Sequence, residues 1–386
     1  MKIVIAPDSF KESLTALEVA DAIEAGFRQV FADADYIKVP MADGGEGTVQ
    51  SMVDATQGYL VDLEVTGPLG NKVMAQYGIL GATEGQTSAT AVIEMASASG
   101  LHLVPRDQRD PRYTTSFGTG ELIKDALDRG IKHIILGLGG SATNDAGIGL
   151  AQALGIQFQD DKHQELPFGG MALAQLSHID VSQAHPFLAG CRFDVACDVD
   201  NPLCGERGAS AIFGPQKGAT PDMVTMLDRT LGHFADVLVQ SGFADHRLDS
   251  GVGAAGGMGL GAKVFLNARL KPGIDIVMET VGLAEKIKGA DLVITGEGRI
   301  DGQTVFGKTP MGVLKKANAN GVPTIGIAGS LGKDAEAILA HGMLAIFPII
   351  PALDSLDNVL AQAESNLVHS SRNIAAVIKL GRLLRE

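Results

Sequence analysis

No apolar run in this chain is long enough to cross a membrane, and its opening residues, MKIVIAPD, read as a strand rather than a signal peptide. Cysteine is scarce. Cys191, Cys197 and Cys204 are an odd set of three, with no CxxC pair and no neighbouring histidine. That pattern argues against a disulfide framework and against zinc, and it points to a reducing compartment, the cytoplasm by default. Positive charge is in deficit: 31 Lys and Arg against 45 Asp and Glu give a formal net charge of −14. Such a balance opposes non-specific nucleic-acid binding and attraction to acidic membranes. An anionic ligand would need a local cluster of cations, helix N-termini or a metal. The chain has no internal repeat and no low-complexity tract. It also lacks a GxGxxG after its first strand, which argues against a nicotinamide-dependent dehydrogenase.

What is present is core-forming sequence and glycine. Hydrophobic residues make up 45% of 386, and many of the 49 glycines cluster at apparent strand ends, as in an α/β enzyme whose backbone approaches a ligand closely. The order of elements supports that class. A β-branched run over Lys2–Ala6 ends at Pro7 and leads into Asp8, Ser9 and Lys11. Thr15 and Glu18 have capping-box spacing ahead of a helical stripe at Val19, Ile23, Phe27 and Val30. A second strand, Tyr36–Val39, leads into the turn MADGGEGT, with Asp43 and Glu46, and then into a helix stopped by Gly58. The pattern changes to a hairpin over 60–80, with further strands at 90–95 and 192–197. It returns at 291–295, 324–328 and 344–350, each followed by a helix. The simplest account is a discontinuous parallel-sheet domain, residues 1–60 plus 289–386, with a second α/β domain, 61–288, inserted. A ligand cleft between the two is expected.

The stretch Leu136–Gly147, LGLGGSATNDAG, organises the inserted part. A buried strand ending at Leu136 runs through Gly137, Gly139 and Gly140 toward a helix expected over Ala146–Leu154. A strand, a glycine turn and a helix start together make an anion site, with Ser141 or Thr143 capping the helix or bonding a ligand oxygen. The plain alternative is a turn that only packs a helix onto its strand. A second glycine run, 251–261, reads as packing between backbones.

Five stretches in order, APDSFKESLTA (6–16), PMADGGEGT (40–48), GLGGSATNDAG (137–147), DVDNPLCGERGA (198–209) and VITGEGRIDGQTVFGKTPMGV (293–313), resemble the bacterial glycerate kinase family of the first type. The resemblance implies a Rossmann-like domain with a second α/β domain inserted. It also implies ATP-dependent phosphorylation of D-glycerate at the 2-hydroxyl, giving 2-phosphoglycerate, with Mg2+ as cofactor. Glu12 departs from the pattern, standing where glycine is expected.

Phosphoryl transfer needs carboxylates for a metal, N–H groups or cations for phosphates, and a group that orients the hydroxyl. Asp43, flanked by glycines, is the first candidate for the hydroxyl or the metal. Asp198 is the next, for metal or base, and Lys11 is a third catalytic candidate. Asp8, Ser9, Glu46, Arg299 and Asp301 are expected to bind substrate. Gly139, Gly140, Ser141, Thr143, Asn144 and Lys308 are expected to bind the phosphates of ATP, and Asp198 and Glu297 to hold the metal. For every carboxylate here the plain alternative is a cap or turn residue. Residues 302–309, GQTVFGKT, fit the Walker A pattern formally, but the loop starts well after its strand and carries Val305 and Phe306, unlike a P-loop. His133, inside an apolar strand, reads as a satisfied core histidine. The partners expected are glycerate and ATP, with no nucleic acid and no membrane. Homo-oligomerisation stays open. The alternatives are a glycerate 3-kinase and a non-catalytic two-domain protein that binds a small acid.

Overall fold

A computed structural model describes residues 1–81 and 89–384. Its strands are β1 (Lys2–Ile5), β2 (Asp35–Lys38), β3 (Tyr59–Thr66), β4 (Lys72–Ile79), β5 (Thr90–Glu94), β6 (His133–Gly137), β7 (Gln157–Gln159), β8 (His178–Asp180), β9 (Arg192–Ala196), β10 (Arg269–Lys271), β11 (Leu292–Ile300), β12 (Thr324–Leu331) and β13 (Ala345–Pro348). The chain divides into two compact units. One contains residues 1–43, 50–58 and 274–386, and the other contains 44–49 and 59–273.

The first unit carries a five-stranded sheet in the order β13-β12-β11-β1-β2, parallel throughout. Strands of such a sheet are covered on both faces, which is why β1 is an unbroken apolar run with Ile3, Val4 and Ile5 fully buried. One face packs Ile3, Ile5, Ile294, Ile325 and Ile327 against Val19, Ile23, Phe27 and Leu367 from the helices Ala16–Arg28 and Ala363–Leu383. Beside the sheet's other end, Ile300 and Ala328 pack with Met311, Leu314 and Ile338. The capping box at Thr15 forms as its spacing demands: Glu18 N donates to Thr15 Oγ1 at 3.3 Å, and Thr15 N donates to Glu18 Oε2 at 2.8 Å.

Glu12 adopts φ +66, a left-handed conformation that favours glycine, at the tip of a turn closed by Phe10 and Leu14. A side chain there costs about 1–2 kcal/mol, and glycine loses somewhat less through its greater freedom in the unfolded chain. Glu12→Gly is therefore expected to stabilise the protein by roughly 0.5–1 kcal/mol, read as a higher urea midpoint with an unchanged slope. A lower midpoint would show that the glutamate makes up for its backbone strain.

The second unit carries a six-stranded mixed sheet in the order β10-β9-β6-β5-β4-β3. The β3–β4 and β4–β5 pairs are antiparallel and the others parallel. The borders differ from those expected at 60/61 and 288/289. Residues 44–49 go with the second unit because Gly44 lies against Gly273 and Ala196 and because Val49 N donates to Glu94 Oε1 at 2.9 Å. Residues 274–288 go with the first, where Ile274 and Met278 press on Gly312 so closely that a Cβ there would meet Ile274 at 2.5 Å.

The glycine run 251–261 packs backbone on backbone. A Cβ on Gly256 would lie 2.1 Å from the Thr143 carbonyl oxygen, and one on Gly261 would lie 2.3 Å from that of Ala146. His133 is satisfied on both ring nitrogens, by Asp194 Oδ2 at 2.8 Å and Thr90 Oγ1 at 3.1 Å. The three cysteines are free thiols. Among the described residues, no helix is long and apolar enough to cross a membrane.

Candidate active site

The strand order of the first unit fixes where a ligand would bind. Counted along the chain within that sheet, the strands run 2-1-3-4-5, so the direction of winding reverses between β1 and β11. The crevice at the carboxyl ends of those two strands is the binding position of such sheets. Two hydrogen bonds join the strand ends there: Asp8 N donates to the Gly296 carbonyl at 2.8 Å, and Thr295 Oγ1 donates to the Ala6 carbonyl at 2.8 Å. On its other edge β11 needs glycine at Gly296 to pair with β12, since a Cβ would fall 1.8 Å from the Ile327 oxygen.

Asp8 and Glu297 both sit at this reversal point, each held by a threonine. Asp8 Oδ2 accepts from Thr309 Oγ1 at 2.6 Å, and its Oδ1 accepts from Ser9 N at 2.7 Å. Glu297 Oε1 accepts from Thr304 Oγ1 at 2.6 Å, and its Oε2 lies 3.5 Å from Lys308 Nζ. Burial pushes the Asp8 carboxyl up to about 6. The nearby Asp43 charge adds to that rise, while the Thr309 and Ser9 hydrogen bonds oppose it. Burial likewise raises Glu297, and Asp8 raises it further against the pull of Thr304 and Lys308. The fold thus brings Asp8, Ser9, Asp43, Glu297 and Lys308 into one acidic group. Lys11 is exposed, on the turn whose backbone touches Gly298. Arg299 is largely exposed, 3.7 Å from Asp301, and Asp301 Oδ1 caps its own turn by accepting from Gln303 N at 2.9 Å.

The side chains of residues 302–309 are engaged within the first unit or exposed. Thr309 gives its hydroxyl to Asp8, Lys308 faces Glu297, and Phe306 stands 85% exposed on a short 3-10 turn. Lys308 thus lies beside the Glu297 carboxylate of the first unit. Glu46 also departs from expectation. It falls in the second unit, where its charge raises the pKa of Glu94, itself raised chiefly by burial.

In the second unit, the turn after β6 differs from the strand-to-helix anion site expected of it. Ala146 (φ +52) and Gly147 (φ +75) are left-handed, so the helix starts late, at Ile148–Ala153, with neither Ser141 nor Thr143 as its cap. Its first N–H groups are already taken: Asp145 Oδ1 accepts from Gly147 N at 3.2 Å. The other Asp145 oxygen accepts from Ser116 N at 2.9 Å and from Ser116 Oγ at 2.8 Å. Burial raises the pKa of Asp145, and these donors oppose the rise. The exposed part of the turn is Gly139 and Gly140, while Ser141, Thr143 and Asn144 are buried. Lys217, which sequence reasoning missed, is buried among them. Its Nζ donates to Ser141 Oγ at 2.8 Å and to the Thr143 carbonyl at 2.6 Å. Asn144 Nδ2 donates to Ser210 Oγ at 3.0 Å, whereas Asn144 Oδ1 and Thr143 Oγ1 are buried without a hydrogen-bond partner.

Asp198 follows β9, is exposed, and accepts from Gly273 N at 3.0 Å through Oδ1. Glu297, expected with it as a metal ligand, belongs to the other unit. Among the described residues, no group of three or more His, Cys, Asp or Glu could hold a metal ion. Mg2+ takes one or two carboxylates and completes its shell with water and substrate phosphates, so these oxygen donors suit a metal that arrives with its nucleotide.

A doubly wound unit with carboxylates at its reversal point, joined in one chain to a second α/β unit with a glycine turn over a buried lysine, defines an α/β enzyme. The model of the glycerate kinase family matches residues 3–379, and this chain belongs to that family. It is 57% identical to a glycerate kinase of Haemophilus influenzae, over 98% of this chain and 99% of that one. It is 53% identical to a glycerate 2-kinase of Escherichia coli K12, over 99% of each. A crystal structure of a Salmonella typhimurium LT2 protein assigned as glycerate kinase 2 superposes with a TM-score of 0.91, at 52% identity and 99% coverage of both chains.

Proposed function

We propose that this chain is a Mg-ATP-dependent kinase that phosphorylates D-glycerate at its 2-hydroxyl, yielding 2-phosphoglycerate and ADP. The observation that carries this reading is the carboxylate group at the reversal point of the first unit, in a chain 53% identical along its length to a glycerate 2-kinase. In the reaction the glycerate hydroxyl oxygen attacks the γ-phosphorus. The bond from that phosphorus to the β–γ bridging oxygen breaks, ADP leaves, and the hydroxyl proton passes to a carboxylate. Asp43 is assigned to the hydroxyl. Asp8, at about 6, is ionised at neutral pH and has the basicity of a proton acceptor. Ser9, Lys11 and Arg299 are assigned to the glycerate carboxylate and hydroxyls, and Asp301 to shaping the Arg299 turn.

Gly139 and Gly140, with Ser141, Thr143 and Asn144 beneath them, are assigned to the ATP phosphates. Bound Mg2+ would neutralise charge on the phosphates, with Asp198 as its protein ligand. Glu297, tied to Thr304 and Lys308, is assigned to fixing Lys308 and not to the metal. Three free thiols and a dependence on ATP support a cytoplasmic setting.

Phosphorus NMR of the protein incubated with ATP, Mg2+ and D-glycerate tests the proposal. The expected result is ADP together with 2-phosphoglycerate. A 3-phosphoglycerate product would overturn the 2-position, and absence of ADP would leave the binding-protein reading.

A further inference from the structure

Lys217 has no part in the roles assigned above, yet few side chains of its size are so deeply buried. It closes the short turn Pro215–Lys217, between Gly214 and the left-handed Gly218. From there it reaches back to the turn after β6 and donates to Ser141 Oγ and the Thr143 carbonyl. An ammonium has three N–H donors, and these two bonds engage two of them. The same turn is held from its other side, where Leu101 N donates to the Gly140 carbonyl at 2.8 Å and Ala142 N to the Ser99 carbonyl at 2.9 Å. Gly139 and Gly140 are thus an exposed pair in a turn held by Lys217 at Ser141 and Thr143 and by residues 99 and 101 at Ala142 and Gly140.

A buried ammonium is expensive, and an apolar side chain of similar length would fill the space without that cost. The charged side chain acting on Lys217 is Asp145. The helix Ala209–Phe213, packed on the same turn, brings the Ser210 hydroxyl and no titratable group. Arg109 meets Gly218 through its backbone carbonyl and Cβ. In a chain of net charge −14, a nucleotide triphosphate needs a local positive charge, and Lys217 supplies one at the turn.

We propose that Lys217 is a positioning residue for the nucleotide: its ammonium pins Ser141 and Thr143, the residues that follow Gly139 and Gly140, so that the glycine pair receives the ATP phosphates beside a positive charge. The proposal rests on the reading of the glycine turn as the phosphate site. It has a consequence that a merely structural lysine would not produce. Burial lowers the Lys217 amine to about 7. An anion bound beside it favours the protonated form, so nucleotide binding above pH 7 takes up a proton and weakens as pH rises.

The test uses the full-length chain with saturating Mg2+. Lys217→Met is expected to raise KM for ATP by about tenfold, to leave KM for glycerate within about twofold, and to abolish the rise in ATP KM between pH 7 and 9. A folded Lys217→Met protein with unchanged ATP KM, with both KM values raised equally, or with the alkaline rise intact would overturn the proposal. Calorimetry of ATP binding to the unmodified protein, in buffers of different ionisation enthalpy, gives the same answer should the variant not fold. Proton uptake at pH 8 is expected, and none would overturn it. Gly140→Ala separates this proposal from the reading beneath it. Gly140 is left-handed at φ +71, and a Cβ there would crowd Ala96 at 3.1 Å. If Gly140→Ala raises ATP KM and Lys217→Met does not, only the proposal fails. If neither does, the phosphate reading of the turn fails with it.

Discussion

Asp43→Asn is expected to lower turnover at least about a hundredfold while leaving the fold intact, the scale of loss found when a catalytic carboxylate is removed. Asp43 follows β2 on a segment anchored from behind, with Met41 and Ala42 buried and Met41 N donating to the Pro7 carbonyl at 2.9 Å. Replacing the charge by an amide of the same size leaves those anchors in place. It also removes a negative charge acting on Asp8. The variant should therefore show a second change: the acid limb of its residual activity moves to lower pH, because Asp8 ionises more readily without Asp43 beside it. Steady-state turnover and a melting curve check the first statement, and the pH profile checks the second. Near-normal turnover in a folded protein would remove Asp43 from the reaction.

The parts of this fold that were readable from sequence are those set by neighbours along the chain. The run KIVI at β1 and the capping box at Thr15 both follow from local pattern. So does the hairpin of β3 and β4, whose alternation faces one side inward. Because ligands gather at the carboxyl ends of parallel strands, Asp8, Asp43 and Glu297 stand out in the sequence as candidates.

What could not be read depends on partners far away in sequence. The segment GEGRI looks like a turn because glycine and charge punctuate it. It is strand, because its backbone pairs with β12 as far as Ile300 opposite Leu331. The helix after β6 begins later than its spacing suggests because Ala146 is left-handed without being a glycine, and because Asp145, oriented by Ser116, occupies the helix start. Thr309 sits in a motif that mimics a P-loop, and its actual partner, Asp8, is at the other end of the chain. Lys217 carries only one local sign, a lysine in a glycine-bounded turn, and nothing nearby in sequence announces its burial under Ser141 and Thr143.

Asp8→Asn is expected to make the protein more stable and far less active, and pH separates the two effects. Asp8 ionises near 3.8 in an unfolded chain and at about 6 in the folded one. Between those values the folded state holds a proton that the unfolded state has lost, so stability falls as pH rises through that window. Above it, the buried carboxylate costs the fold on the order of 2–3 kcal/mol. Asparagine carries no charge and keeps a carbonyl oxygen for Thr309 or Ser9, though not both carboxylate acceptors. A net gain of about 1–2 kcal/mol at pH 7.5 is therefore expected, a few degrees in melting temperature. Near pH 4.5 the native Asp8 is already protonated and most of the gain should vanish. Turnover should fall by roughly two orders of magnitude at every pH, because an amide does not accept the hydroxyl proton. Thermal unfolding at the two pH values, beside the activity assay, checks both statements. A variant less stable than the parent at pH 7.5 would show that the Thr309 and Ser9 hydrogen bonds outweigh the burial of charge. Full activity would place the reacting groups away from the reversal point of the first sheet, since Asp8 is held at its centre by both β11 and the start of the helix Thr309–Ala319.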